Sequence, residues 1–133
     1  MIMTTEELNM AIETKKEIIR LQSSVDRLRR TSGISSSLGV EMVKGGIKQN
    51  VAQRILENES EIKELSERLI VEQSIIKFGI KKLSLPKLEE KILIMRYSDV
   101  EPWELISDAI GYSKSHTFMC HAAILKKIIA DKT

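Results

Sequence analysis

Residues 104–128 read ELISDAIGYSKSHTFMCHAAILKKI, and this stretch decides how the rest of the chain is understood. Ser107 stands four positions before Gly111. A small residue lets two helices cross closely, and a glycine accepts the left-handed backbone that ends the first of them. Ile106, Ile110 and Tyr112 are expected to surround the turn with apolar contacts. Ser113 or Ser115 supplies a cap for the next helix, which is expected to run to about Ala130. Thr117, Cys120, Ile124 and Ile128 recur at helical spacing and predict its buried face, with Thr117 the weakest core residue of the four. This is the spacing of a helix-turn-helix, in which the second helix meets the major groove of DNA.

The exposed side of that last helix is then predicted from what remains. Ser113, Lys114, Ser115, His116 and Met119 begin it and are the candidate DNA contacts. Lys114 and Ser115 can bond a phosphate or a base edge, while Met119 and Ala122 can touch a thymine methyl. Lys126 and Lys127 follow two to three turns later and would reach flanking phosphates. No arginine stands in the early part of the helix, so the reading surface is lightly charged. Phe118 either packs against Tyr112 or Trp103 or faces DNA.

Upstream of this stretch, "LSLPKLEEK" places Pro86 in the first turn of a further helix, with Ser84 as its cap. Leu88, Ile92, Leu93 and Met95 continue an apolar face to Arg96 and Tyr97, and "SDVEP" breaks it. Pro102 opens a helix from Trp103 to Ile110. Tyr97 and Trp103 are expected in the small core between these helices. Charge is unevenly spread. Residues 86–112 hold three cations against six acids, and residues 113–133 hold four cations against one acid. An acidic approach to a basic last helix suits a phosphate-facing end.

The N-terminal half has a different rhythm. "TTEEL" predicts a capped helix from Thr4 or Thr5 to Arg30. Its apolar residues recur as Ala11, Ile18, Val25 and as Leu21, Leu28, a narrow seven-residue seam. A Ser/Gly-rich connector follows at about residues 31–47, where Met42 and Val43 can dock and Gly45–Gly46 reads as a turn, not a P-loop. From about Lys48 to Leu83 the residues Ile55, Ile62, Leu69, Ile76 and Leu83 keep strict seven-residue spacing. Val51, Leu65, Ile70 and Ile80 flank that row, and Asn58 and Glu72 interrupt the second seam. So narrow a seam cannot be buried by the helix alone. Ile55, Ile62, Leu69 and Ile76 are therefore expected to pack on the first helix or on a second chain. The fold expected is all-α: a long antiparallel helical hairpin (coiled coil) over residues 1–83, then a small helix-turn-helix domain over 84–133.

"KILIMRYSDVEPWELISDAIGYSKSH" resembles a stretch of small phage-encoded proteins of Gram-positive hosts, related to ArpU-type late transcriptional regulators and to the fourth, promoter-reading region of sigma factors. The resemblance is specific at "MRYSDVEPWELI" and "IGYSKS" and looser through "KKEIIRLQSSVDRLR", "MVKGG" and "ILENESEIKEL". Thr117 and Met119 depart from it, since relatives often carry Val and Arg there. It implies a role in phage transcription and no catalytic residues.

Other chemistries find little footing. His116, Cys120 and His121 are the only His and Cys residues of the chain, too few for a structural zinc site, so no metal or cofactor is expected. No nucleophile stands with a base and an orienting group, so no enzyme is expected. A single cysteine excludes an internal disulfide and fits a reducing cytoplasm, which the resemblance implies is that of a bacterial host. No signal peptide or membrane span is expected. The expected partners are double-stranded DNA and a second copy of the chain. A second reading is a protein-binding module that engages a host protein such as RNA polymerase through Phe118 and Met119. A third is a small terminase-like packaging subunit, although those place the DNA reader first.

Overall fold

The computed structural model describes residues 3–32 and 46–129. The fold is all-α. Helix α1 spans Thr5–Ser32 and α2 spans Gly46–Lys82. Three shorter helices follow: α3 (Lys87–Leu93), α4 (Trp103–Ile110) and α5 (Lys114–Ile128). Between α3 and α4 the chain continues as a π-helical segment, Ile94–Ser98. The expected connector at about 31–47 lies outside the described residues except at its ends, and Met42, Val43 and Gly45 fall within that part. Thr31 and Ser32 close α1, and Gly46 opens α2.

The start of α1 is a capping box. The Thr4 backbone N–H donates to Glu7 Oε1 at 3.0 Å, and the Glu7 N–H donates back to Thr4 Oγ1 at 3.1 Å. Two otherwise unpaired amides are satisfied by two side chains, which fixes where the helix begins.

The chain divides into two compact units, residues 14–68 and residues 1–13 with 69–133. This division falls within both long helices. In the first unit, Val25 of α1 packs with Ala52 and Ile55 of α2, and Leu28, Val51 and Ile62 close around them. Arg29 donates to the Glu59 carboxylate across the same pair of helices. In the second unit, Leu8, Ala11 and Ile12 of α1 meet Ile76 and Ile80 of α2. The same core takes in Ile92, Leu93, Tyr97, Ile124 and Ile128 from the C-terminal helices. Met3 ties the N-terminus to the far end of α5, its N–H donating to the Ile128 carbonyl at 2.7 Å.

The seven-residue row is buried unevenly. Ile55 and Ile76 are fully buried, and Ile62 and Leu69 only half. Leu65 and Ile80 flank it inside the core, and Val51 lies half-buried beside it, as expected, but Ile70 is 65% exposed. Position 70 sits one residue past the seam at 69, which turns its side chain about 100° away from the neighbouring helix.

Two local expectations are corrected at the α2–α3 junction. Pro86 is the residue before α3, with φ −54° and ψ 150°, and does not lie in its first turn. Ser84 makes no side-chain cap there. It adopts φ 55° and ends α2, its N–H donating to the Lys81 carbonyl at 3.3 Å.

The π-helical segment is marked by the Asp99 N–H, which reaches back five residues to the Ile94 carbonyl at 2.8 Å. It widens the helix at Ser98. The buried Ser98 hydroxyl then donates to the Gln73 carbonyl of α2 at 2.9 Å. Val100 follows with φ 54°, an uncommon conformation for a β-branched residue. The turn is held by the Glu101 N–H on the Met95 carbonyl at 2.9 Å and by Arg96 Nη1 on the Glu101 carbonyl at 3.1 Å.

Candidate nucleic-acid interface

Helices α4 and α5 meet through a turn whose geometry follows from its residues. Gly111 has φ 76°, and its N–H donates to the Ser107 carbonyl at 2.9 Å. A Cβ at this glycine would meet nothing within 4 Å, so the backbone angle and not space is what calls for glycine. The Tyr112 N–H shares the same carbonyl at 3.2 Å. Ser113 is the cap of α5, its hydroxyl accepting from the His116 N–H at 3.1 Å. Ser115, the alternative cap, is exposed on the helix.

The crossing itself is sealed by two hydroxyls. Ser107 and Thr117 are both buried, and the Ser107 hydroxyl donates to Thr117 Oγ1 at 3.1 Å. The Thr117 hydroxyl donates in turn to the Ser113 carbonyl at 2.8 Å. Thr117 is therefore a strong member of the buried face. Its polarity is used, since each hydroxyl has a partner. Ile124 and Ile128 are buried beside it and Cys120 is half-buried. Tyr112 departs from the expected core. It is 37% exposed and stands edge-on to the His116 ring at 4.5 Å.

Behind α5 lies a group of rings and one cation. His121 sits between Tyr97 and Trp103, with ring centroids 5.6 Å and 4.7 Å away. Phe118 meets Trp103 edge-on at 5.1 Å, which settles its packing partner in favour of Trp103. The Arg96 guanidinium lies 4.9 Å from the Trp103 ring centre. Burial, with the Arg96 charge adding to it, pushes the His121 imidazole down to about 4. Burial pushes the Tyr97 phenol up. The two directions agree on one assignment: a protonated Tyr97 hydroxyl donates to an unprotonated His121 Nε2 at 2.5 Å. Tyr97 and Trp103 thus line the core between the C-terminal helices, as expected. His121 as the polar centre of that core was not legible in the sequence.

The candidate DNA contacts are brought to the surface together. Ser113, Lys114, Ser115, His116, Met119, Ala122, Lys126 and Lys127 are all exposed. Ser115, Met119, Ala122 and Lys126 are spaced four, three and four apart and line the outermost stripe of α5, opposite Thr117, Ile124 and Ile128. Met119 is 70% exposed. The two flanking lysines carry partners that sequence reading missed. Lys114 Nζ lies 2.7 Å from Glu104 Oε1 of α4, and Lys127 Nζ lies 2.6 Å from Glu89 Oε1 of α3. The hydrogen bond and charge of Lys114 hold the Glu104 carboxyl below its usual range. The only advance signal for these pairs was the acidic run that precedes the basic helix.

Among the described residues, no group of three or more His, Cys, Asp or Glu side chains is placed to hold a metal ion. Among them also, no helix is long and apolar enough to cross a membrane. No protein-family model, curated protein or solved structure matches this chain.

Proposed function

We propose that the chain is a DNA-binding transcriptional regulator of the phage-encoded kind its motif resembles, and that it reads double-stranded DNA with α5. The observation that carries this reading is the α4–α5 junction. The Gly111 turn and the buried Ser107–Thr117 bond fix the crossing and leave the N-terminal half of α5 exposed along Ser115, Met119 and Ala122. A helix presented this way fits a major groove with its early residues foremost. Ser115 bonds a base edge or phosphate there, Met119 and Ala122 contact thymine methyls, and Ser113, Lys114 and His116 approach the backbone at the entering end. Lys126 and Lys127 serve flanking phosphates.

A homodimer belongs to this proposal, because two half-sites need readers at fixed spacing. What supports it is an exposed apolar row on α2. Val71, Ile75 and Phe78 are exposed at i, i+4 and i+7, beside a shallow groove that includes Met3 and Met10.

The test is affinity for a selected duplex and a scrambled one across a salt series. Lys114→Ala should weaken binding to both. Met119→Ala should blunt preference at one position, since it removes an apolar contact and no charge. Both variants should keep their fold, because neither side chain is buried. Absence of any preference in the wild type, with no effect of either substitution, would overturn the reading.

That result would favour a second reading, docking to a host protein such as RNA polymerase. The specific observation behind it is the exposed pair Phe118 and Met119, at 43% and 70%, on a face whose flanking lysines are already engaged by carboxylates.

A further inference from the structure

The described part of α5 carries three lysines, and two of them are held by carboxylates from the helices that precede it. Glu104 of α4 takes Lys114, and Glu89 of α3 takes Lys127. Both pairs remain open to water, the Lys114 and Glu104 side chains at 51% and 68% exposure. A carboxylate and a phosphate oxygen are the same kind of acceptor for an ammonium. The two acids therefore occupy the positions a DNA backbone would have to take.

We infer that Glu104, with Glu89 at the far end, is a built-in competitor for the phosphate backbone, so that the affinity of this face is set by exchange of a carboxylate for a phosphate on Lys114. The inference rests on the DNA-binding reading of α5. It follows that Lys114 adds less to binding than a free lysine would. A free lysine neutralises a phosphate and releases condensed counterions. A paired one must first leave its partner, and it leaves a carboxylate beside the phosphate. Glu104 matters more than Glu89 because it stands at the end of α5 that enters the groove and because it is the more exposed acid, at 68% against 28%.

The experiment uses the full chain and a fluorescently labelled duplex of mixed sequence, with binding followed by anisotropy across a salt series. The proteins are wild type, Glu104→Gln, Lys114→Ala and the double variant, with Glu89→Gln as a second probe. Glu104→Gln should tighten binding about two- to fivefold at low salt, in keeping with the small worth of an exposed pair. Its salt slope should steepen by up to about one unit as Lys114 becomes available. In the Lys114→Ala background the same substitution should have a much smaller effect. Equal affinity of wild type and Glu104→Gln overturns the inference. So does a tightening that persists undiminished without Lys114, which would be simple removal of a repelling charge. If the duplex binds and only Lys114→Ala changes affinity, the DNA reading stands and the competitor falls. If neither wild type nor Glu104→Gln binds any duplex at low salt, both fall together.

Discussion

Replacing Thr117 by Val tests the helix crossing at its centre. The side chain is fully buried, and the exchange trades a hydroxyl for a methyl of similar size, so no cavity opens. What changes is hydrogen bonding. The Ser113 carbonyl loses the Thr117 hydroxyl but keeps the Thr117 N–H at 2.9 Å. The Ser107 hydroxyl loses its acceptor inside the core. An orphaned buried donor costs about 1–3 kcal/mol and a lost neutral hydrogen bond about 1. Burial of the new methyl returns about 0.8 kcal/mol. Thr117→Val should therefore destabilise by about 1–3 kcal/mol. Ser107→Ala alone should cost about 0.5 kcal/mol, because Thr117 keeps its bond to Ser113 and alanine favours the helix. The double variant leaves no unpaired hydroxyl, so its cost should fall short of the two added together by about 1 kcal/mol. Urea unfolding read by the fluorescence of Trp103, the only tryptophan, is a suitable assay because that ring lies against Phe118 of α5. Additive single effects would refute the coupling and with it the view that these hydroxyls act as a pair.

Two further perturbations follow from single sites. The unfolded chain protonates His121 near its ordinary 6.5 and the folded chain only near 4, so stability is full above pH 6.5 and is lost as pH falls through that window. The full shift would be about 3 kcal/mol, reduced to about 1–2 because solvent reaches the ring, and urea unfolding at several pH values should show the loss in wild type but not in His121→Gln. Gly79→Ala should stabilise by about 0.5–1 kcal/mol in the same assay, since glycine weakens a helix interior. A Cβ there meets only the end of Met3 at 3.4 Å, so a measured loss of stability would show that this contact cannot relax.

The hydrophobic rhythm of the sequence reports which side of a helix is buried, and it reported that well. The Thr4 capping box, the seams through Val25, Ile55 and Ile76, the Gly111 turn and the Ser113 cap were all readable from local pattern. What it could not report was partnership between distant polar groups. Ser98 on the Gln73 carbonyl, Tyr97 on His121 and Ser107 on Thr117 are each 10 to 25 residues apart, and no spacing rule announces them. The π-helical segment was hidden for a related reason. One extra residue in a turn leaves the apolar pattern from Ile92 to Tyr97 looking like ordinary helix, while it swings Ser98 inward. Thr117 was undervalued because composition ranks it below valine in a core, and only the structure supplies the hydroxyl that makes it suitable. Of the candidate site, exposure of the proposed contacts was legible. The engagement of two of their charges was not.

If α5 meets DNA as proposed, those engaged charges limit the kind of contact it would make. Read along the chain, an acidic run precedes a basic one, and the two look like separate blocks. In the fold they interlock as Glu104–Lys114 and Glu89–Lys127, so the contrast that suggested a phosphate-facing end is partly cancelled where it would act. On the proposed DNA-binding reading, counterion release would contribute little, and non-specific affinity, which is almost wholly electrostatic, would be low. The apolar stripe of Met119 and Ala122 and the hydroxyl of Ser115 are unaffected by this cancellation. Contacts of that kind depend on the base beneath them and weakly on salt. Under that proposal, a helix armed this way would give up strength on every duplex and keep its discrimination. The absence of an early arginine in α5 and the presence of two carboxylates beside its lysines therefore act in the same direction.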